Sequence, residues 1–433
     1  MLYPGVRYDK IKRKTERFED RDMADRVIVI GGGAAGLMAA AKAAQRGCSV
    51  TVLERNDRPA RKLMITGKGR CNVTNACTLV NELTEQIPGN GRFLYGAFSR
   101  FMPYDTMELF ESLGVPLKIE RGNRVFPESD KAVDIVDALV GYAKKSGARL
   151  RTGVRVESLL LADGAVKGVV CENGETFEAD AVIVATGGCS YPLTGSTGDG
   201  YALAKAAGHT VIDPKPSLIP FETAEDWCRR LQGLTLKNVA ITLRETESWK
   251  EVYTDFGEML FTHFGVSGPV VLSASAHVRD IAPGKYTLSI DLKPALSPEK
   301  LDERMVRDLT KYANRTMGNA LADLLPRSLI PVVLELAEVS PETYANRLTR
   351  EARREIGYVL KDLTCTVTGT RPIEEAIVTA GGVITKEIDP KTMQSKLCKG
   401  LYFAGEVIDV DAYTGGFNLQ IAFSTGHLAG SSC

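Results

Sequence analysis

At 433 residues, with 54 Lys plus Arg balanced by 54 Asp plus Glu and 44% hydrophobic residues, the chain has the size for two or three domains and an ordinary globular composition. Zero formal net charge removes any global electrostatic case for a nucleic-acid binder, leaving only a local basic patch. Nine cysteines, odd in number and never in CxxC spacing, point to a reducing cytoplasm and argue against a disulfide framework or a metal site, and no apolar run approaches the roughly 18 residues a membrane span needs.

The first 22 residues mix seven basic with five acidic side chains and lack the apolar core of a signal peptide, so residues 1–23 are expected to be a tail or an upstream start. A basic RNA-contacting arm is the sharper alternative, weakened by the acidic residues. The stretch that organises the rest is RVIVIGGGAAGLMAAAKAA, Arg26 to Ala44. Val27 to Ile30 predict a short buried strand. Gly31 permits a tight turn, Gly33 lets backbone approach a pyrophosphate, and Gly36 lets helix and strand pack closely. A second strand, Ser49 to Leu53, ends in Glu54, eighteen residues past Gly36, where a carboxylate can accept ribose hydroxyls. A lone GxGxxG is weak evidence; the flanking strands, the helix and Glu54 make it a dinucleotide site.

Arg55, Arg58, Arg61 and Lys62 follow, then the polar loop ITGKGRCNVTN, Ile65 to Asn75. Its Gly67, Gly69, Arg70, Asn72 and Thr74 suit a loop lying along a phosphate-bearing cofactor; a locally capped turn is the plain alternative. Gly91 to Leu113 and Ala132 to Lys145 are expected to be helical. A strand is predicted from Arg151 to Leu161, turning at Asp163-Gly164 into Val166 to Cys171, with Asn173-Gly174 marking a second hairpin. Ala181 to Ala185 is another buried strand, running into Thr186-Gly187-Gly188. GSTGDGY then opens a helix at which Asp199 is expected as a cap.

At Asp213 the composition changes. Prolines and short alternating strands up to Lys293 predict a small β-barrel or sandwich inserted in the nucleotide fold, and Ser297 to Gly357 reads as an inserted helical subdomain. The expected division is therefore 24–212 with 380–433 for the nucleotide fold, 213–295 with 358–379 for the β insertion, and 296–357 for the helical one. Gly400 to Ala404 is a buried strand ending in Gly405-Glu406. Gly415 and Gly416 precede a helix from Asn418 to Leu428, so the C-terminus completes the first fold.

IGGGAAG with Glu54, TGKGRCNVTN, ATGG followed by GSTGDGY, FTHFGVSGP, VTAGGV and AGEVIDVDAYTGGFNLQ together resemble, over Ala24 to Cys433, the bacterial BaiN/RdsA-like (aminoacetone-oxidase-type) FAD-dependent oxidoreductases. The resemblance implies an α/β fold: a Rossmann-like (GR2-type) FAD-binding domain with an inserted β-barrel and a small helical insertion. It places Gly31, Gly33, Ala34, Ala35 and Gly36 on the pyrophosphate, Glu54 on the adenosine ribose and Val156 by the adenine. Arg55, Lys62, Gly67, Gly69, Arg70, Asn72 and Thr74 would line the cofactor, with Thr186 and Gly187 near the nucleotide. Gly405, Glu406, Asn418, Leu419 and Gln420 would approach the ribityl chain and isoalloxazine.

Members of this family are linked to reduction of 3-oxo-Δ4 and Δ4,6 bile-acid intermediates and to dihydrouridine formation in ribosomal RNA. In both, hydride adds to a C=C bond conjugated with a carbonyl, and the site must supply a proton. Three residues are candidates for that role: Tyr191, His263 and Cys71. A packed tyrosine, a structural histidine at a barrel edge and a small buried thiol are the respective plain alternatives. The leading expectation is an enone reductase taking electrons from NADH or NADPH and acting on an apolar steroid or bile-acid substrate, free or as a CoA thioester. No second GxGxxG follows a strand, so the nicotinamide would visit the substrate face in a ping-pong scheme. An rRNA dihydrouridine synthase is the alternative, with Arg347, Arg350, Arg353 and Arg354 as its candidate basic face. A flavin redox sensor or amine oxidase is the third.

Overall fold

The computed structural model describes residues 25–278 and 280–433, so the expected tail lies outside the described residues. The strand Arg26–Ile30 sits at the centre of a five-stranded parallel sheet ordered Leu401–Phe403, Ala181–Val184, Arg26–Ile30, Ser49–Glu54, Arg149–Thr152. Val29 lies opposite Val52 on one side and Ile183 on the other. Central parallel strands are covered on both faces, which is why VIVI and AVIV are uninterrupted apolar runs. The edge strand Leu401–Phe403 arrives from the far end of the chain and pairs with Ala181–Val184.

The C-terminal helix Phe417–Gly430 locks this arrangement by crossing the first helix, Ala34–Gln45. A Cβ added at Gly426 would lie 2.3 Å from the Ala35 carbonyl oxygen, and one at Gly430 would lie 2.1 Å from that of Ala39. Two glycines one turn apart thus face two alanines, and the backbones touch. At Gly36 a Cβ would meet the Gly31 carbonyl oxygen at 1.9 Å, so the third fingerprint glycine is needed for packing.

Two expected elements differ. The single strand from Arg151 to Leu161 is divided: Arg149–Thr152 joins the parallel sheet, whereas Val156–Ala162 starts a three-stranded antiparallel meander. Gly153, at φ +71°, turns the chain between them. The helical run from Gly91 to Leu113 is broken at Phe101, where extended backbone precedes Pro103 and a new helix, Pro103–Ser112, begins.

Phe221–Thr223, Gly265–Ser267, Glu251–Phe261, Thr235–Glu245, Tyr286–Asp291 and Leu363–Thr370 form, in that spatial order, a closed barrel whose last strand pairs with the first. The expected barrel or sandwich is therefore a barrel. Its core is continuous with the helical segment: Phe221, Phe261, Leu288 and Val367 share one cluster with Leu301, Met305, Leu325 and Leu360. The helix Arg350–Lys361, capped by Thr349 Oγ1 accepting from the Ala352 N–H at 3.1 Å, runs across the boundary expected at residue 357. Within it Arg353 turns to Asp302 at 2.7 Å and leaves the surface of the proposed basic face.

An antiparallel ribbon, Val211–Ser217 with Val378–Val383, carries the chain between nucleotide fold and barrel. Leu218, Ala276 and Val378 form a small separate cluster at this seam, with Leu272 and Tyr413 packed against it. Among the described residues no helix is long and apolar enough to cross a membrane.

Candidate functional site

A cleft enclosing roughly 1330 Å³, including its open mouth, runs over the carboxyl ends of the parallel strands. This is where an open α/β sheet places ligands. At one wall the first helix begins at Gly33, with no side-chain cap and no acidic residue in its first turn. Gly31, Gly33, Ala34 and Ala35 line the cleft there, and a Cβ at Gly33 would meet nothing within 4 Å. Free amides at the positive end of a helix, beside open space, fit a pyrophosphate.

Glu54 is 7% exposed. Its Oε2 accepts from the Gly32 N–H at 2.8 Å and its Oε1 accepts from the Asn56 N–H and side-chain amide, each at 2.8 Å. The backbone turn thus aims the carboxylate into the cleft with lone pairs remaining for a diol. Arg55 and Arg155 both grip Asp199 at 3.0 Å. Burial pushes the Asp199 carboxyl up, but the two guanidiniums outweigh it and hold it below the usual range. Asp199, expected as a helix cap, is instead the centre of this clamp. Val156, Thr186 and Gly187 also line the cleft, and the buried Thr186 Oγ1 has no protein partner. That hydroxyl is turned toward Gly200, where an added Cβ would lie 2.1 Å from it, and is enclosed there.

At the other end Lys62 donates to Glu406 Oε2 at 2.8 Å and to Ser190 Oγ at 2.7 Å. Glu406 Oε1 accepts from the Thr379 N–H at 2.8 Å and from Ser190 Oγ at 3.1 Å. Gly405, Asn418 and Leu419 complete this wall. The Asn418 carboxamide pins the preceding loop, accepting from the Ala412 N–H at 2.9 Å and donating to the Ala412 carbonyl at 2.7 Å.

Other residues drawn from the motifs do not line the cleft. Gly36 packs beneath it, and of the loop Ile65 to Asn75 only Thr66 reaches it. Gly67 and Gly69 take φ of +58° and +82° to turn the loop, which bends its polar groups inward. Arg70 pairs with Glu120 and Asp130 and lies 4.1 Å above the Phe126 ring. Asn72, with its carboxamide oriented to accept from the Gly416 N–H at 3.0 Å, ties the loop to the start of the last helix. Thr74 donates to Gln420 Oε1 at 2.6 Å, Thr106 does so at 2.8 Å, and Gln420 Nε2 donates to the Phe101 carbonyl at 3.0 Å. A polar loop in the sequence does not disclose whether its groups face a ligand or each other; here they brace the last helix.

Of the three candidate proton donors, Cys71 is fully buried, and burial pushes its thiol up to about 12. Tyr191 is 36% exposed, with φ +51°, and its N–H donates to the Glu374 carbonyl at 3.1 Å. His263 is exposed, edge-on to Phe264 at 4.9 Å, and its charge helps Arg371 hold the Glu375 carboxyl below the usual range. Tyr191 thus meets the short segment 373–375 that leads into the cleft-lining Ile377.

Three further residues meet at the seam. His277 Nε2 lies 2.6 Å from the Tyr413 hydroxyl, and the Tyr253 ring stacks on His277 with centroids 4.5 Å apart. Tyr253 in turn donates to Asp255 at 2.9 Å. Sequence reasoning singled out none of the three, although Tyr413 lies within the motif AYTGG and His277 is one of only four histidines.

A parallel sheet with a glycine cradle, a carboxylate turned into the cleft and an inserted barrel defines a Rossmann-type FAD-binding oxidoreductase. Residues 25–432 match the model of the HI0933-like protein Rossmann domain family, and the chain belongs to that family. It is 33% identical to the 3-dehydro-bile acid delta(4,6)-reductase of Clostridium scindens, over 94% of this chain and 98% of that protein. It is 32% identical to the ribosomal RNA dihydrouridine synthase of Escherichia coli, over 92% of this chain and 95% of that one. The 3-ketosteroid-delta4-(5alpha)-dehydrogenase of Rhodococcus jostii shares the fold at 16% identity, with a TM-score of 0.50 over 94% of this chain and 96% of that one.

Proposed function

We propose that this protein uses FAD to reduce a C=C bond conjugated to a carbonyl in a 3-oxo-Δ4 or Δ4,6 bile-acid or related steroid, with NADH or NADPH as reductant. The observation that carries the reading is the near full-length likeness to the bile-acid reductase. The cleft agrees in chemistry: beyond the polar cradle its walls at the seam are apolar, from Ile377, Val378, Val410 and Leu419. Gly33 and its neighbours would hold the pyrophosphate, Glu54 the ribose, and Lys62 with Glu406 the ribityl-flavin end. Bound FAD supplies the hydride carrier that links nicotinamide to the conjugated alkene. The chain's own task is to exclude water, orient the carbonyl and deliver one proton.

The test is anaerobic: NADH is added, bleaching of the flavin is followed, and a 3-oxo-Δ4 bile acid is titrated in. Prompt reoxidation with a saturated 3-oxo product is expected. Bleaching without reoxidation would remove the bile-acid reading and make unmodified ribosomal RNA the next acceptor to try. That second reading has its own supporting feature in the Arg315–Tyr312 and Arg347–Tyr344 stacks of the helical segment, at 4.4 and 5.8 Å.

A further inference from the structure

We infer that Tyr413, held by His277, is the proton donor to the substrate, an inference that rests on the enone-reductase reading above. Position is the first argument. Tyr413 lies on the loop between the cleft-lining residues Val410 and Asn418, and its carbonyl accepts from Asn418 Nδ2 at 3.3 Å. Its ring packs against the cluster that contains Val378, another cleft-lining residue, at the seam where barrel meets nucleotide fold. The ring therefore sits beside the apolar wall of the cleft that Val378 forms.

Orientation is the second argument. His277 Nε2 fixes the phenol oxygen at 2.6 Å, and Tyr253 stacked on His277 with an interplanar angle of 25° fixes the imidazole. The three side chains come from the barrel strand Glu251–Phe261, the turn after the helix Pro269–Ser275, and the C-terminal loop. None of the three is fully buried. A stacked, hydrogen-bonded tyrosine–histidine pair at the junction of two structural units, beside the Val378 wall of the cleft, is costly to assemble for packing alone and suits delivery of a proton. Burial, with the Asp255 and Asp411 carboxylates, pushes the Tyr413 phenol up, so it remains protonated and able to donate at neutral pH.

The step balances. Hydride from the reduced cofactor forms a C–H bond at the β-carbon, and the alkene electron pair shifts toward the carbonyl as an enolate. The Tyr413 O–H, hydrogen-bonded to the carbonyl oxygen, breaks as its proton goes to that oxygen, and the enol then tautomerises to the saturated ketone, so that a hydrogen ends on the α-carbon. The phenolate recovers its proton from water, while His277 Nε2 holds the phenol oxygen in place. The alkene gains two electrons and two hydrogens, and the cofactor loses two electrons. His277 is a positioning residue here.

The experiment uses prereduced holoenzyme. Tyr413→Phe is expected to slow reoxidation by a 3-oxo-Δ4 bile acid by about hundredfold or more, while oxidation by ferricyanide, which places no proton on carbon, changes less than about twofold. Independently of turnover, equilibrium dialysis of the saturated 3-oxo product against oxidised protein is expected to show about tenfold weaker binding to the variant, the loss of one hydrogen bond to the carbonyl. His277→Leu should lower the enone rate as Tyr413→Phe does, and His277→Gln, which retains a hydrogen-bonding atom for the phenol, should restore much of it. Wild-type protein inert toward the enone would overturn both the reading and the inference. Active wild type with an equally active, equally tight-binding Tyr413→Phe would overturn the inference alone.

Discussion

The Lys62 ammonium rests 2.8 Å from Glu406 Oε2, joining two residues 344 positions apart across the floor of the cleft. Both are about one-fifth exposed, at 22% and 20% of their side chains, so solvent screens the pair only in part. Lys62→Met would leave Glu406 with only Ser190 and the Thr379 N–H. Thermal unfolding of the apoprotein is expected to show a loss of about 1–3 kcal/mol. A double-mutant cycle with Glu406→Gln should return a coupling of similar size; strict additivity would mean that the contact contributes nothing.

Glu54 offers a test of the ribose assignment. Glu54→Gln keeps the shape but replaces one acceptor by a donor that faces either the Gly32 N–H or the Asn56 donors. FAD affinity, followed by quenching of flavin fluorescence on adding apoprotein, is expected to fall by about tenfold or more. Unchanged affinity would place the ribose elsewhere.

Close approach of the first and last helices makes a stability prediction. Gly426→Ala would drive a Cβ to 2.3 Å from the Ala35 carbonyl oxygen, where only backbone can yield. A cost of about 2–3 kcal/mol in the unfolding midpoint is expected. Gly141→Ala, inside the helix Ala132–Lys145 with nothing within 4 Å of the added carbon, should instead stabilise by about 0.5–1 kcal/mol.

A pH-dependent loss of stability should trace to His427, stacked on Phe101 at 4.8 Å. Burial, aided by the charges of Lys42 and Arg100, lowers its pKa to about 4. A depressed folded pKa means the neutral ring is favoured by folding. The contribution is full above the unfolded value of about 6.5 and is lost as the pH falls toward 4, by about 3 kcal/mol in all. His427→Phe should flatten the melting temperature between pH 6.5 and 4. A profile as steep as the wild type's would assign the acid sensitivity to other groups.

The features written directly into the chain are local ones. VIVI, the glycines at 31, 33 and 36, and Glu54 could be read because strand burial, a tight turn and a helix N-terminus are encoded within about twenty consecutive residues. The return of the chain through Gly405-Glu406 to the same cleft was legible for the same reason. Alternating strands announced the β insertion, but its closure into a barrel and its shared core with Leu301, Met305 and Leu360 depend on pairings and packing between distant segments. Which polar groups face the cleft depends on packing between distant segments. Arg70, Asn72, Thr74 and Gln420 are polar enough for a cofactor, yet they turn to Glu120, Gly416 and one another. Tyr413 and His277, 136 residues apart, have no common sequence motif. A buried donor takes whichever partner the fold brings within about 3 Å, and that distance is set by packing, not by spacing along the chain.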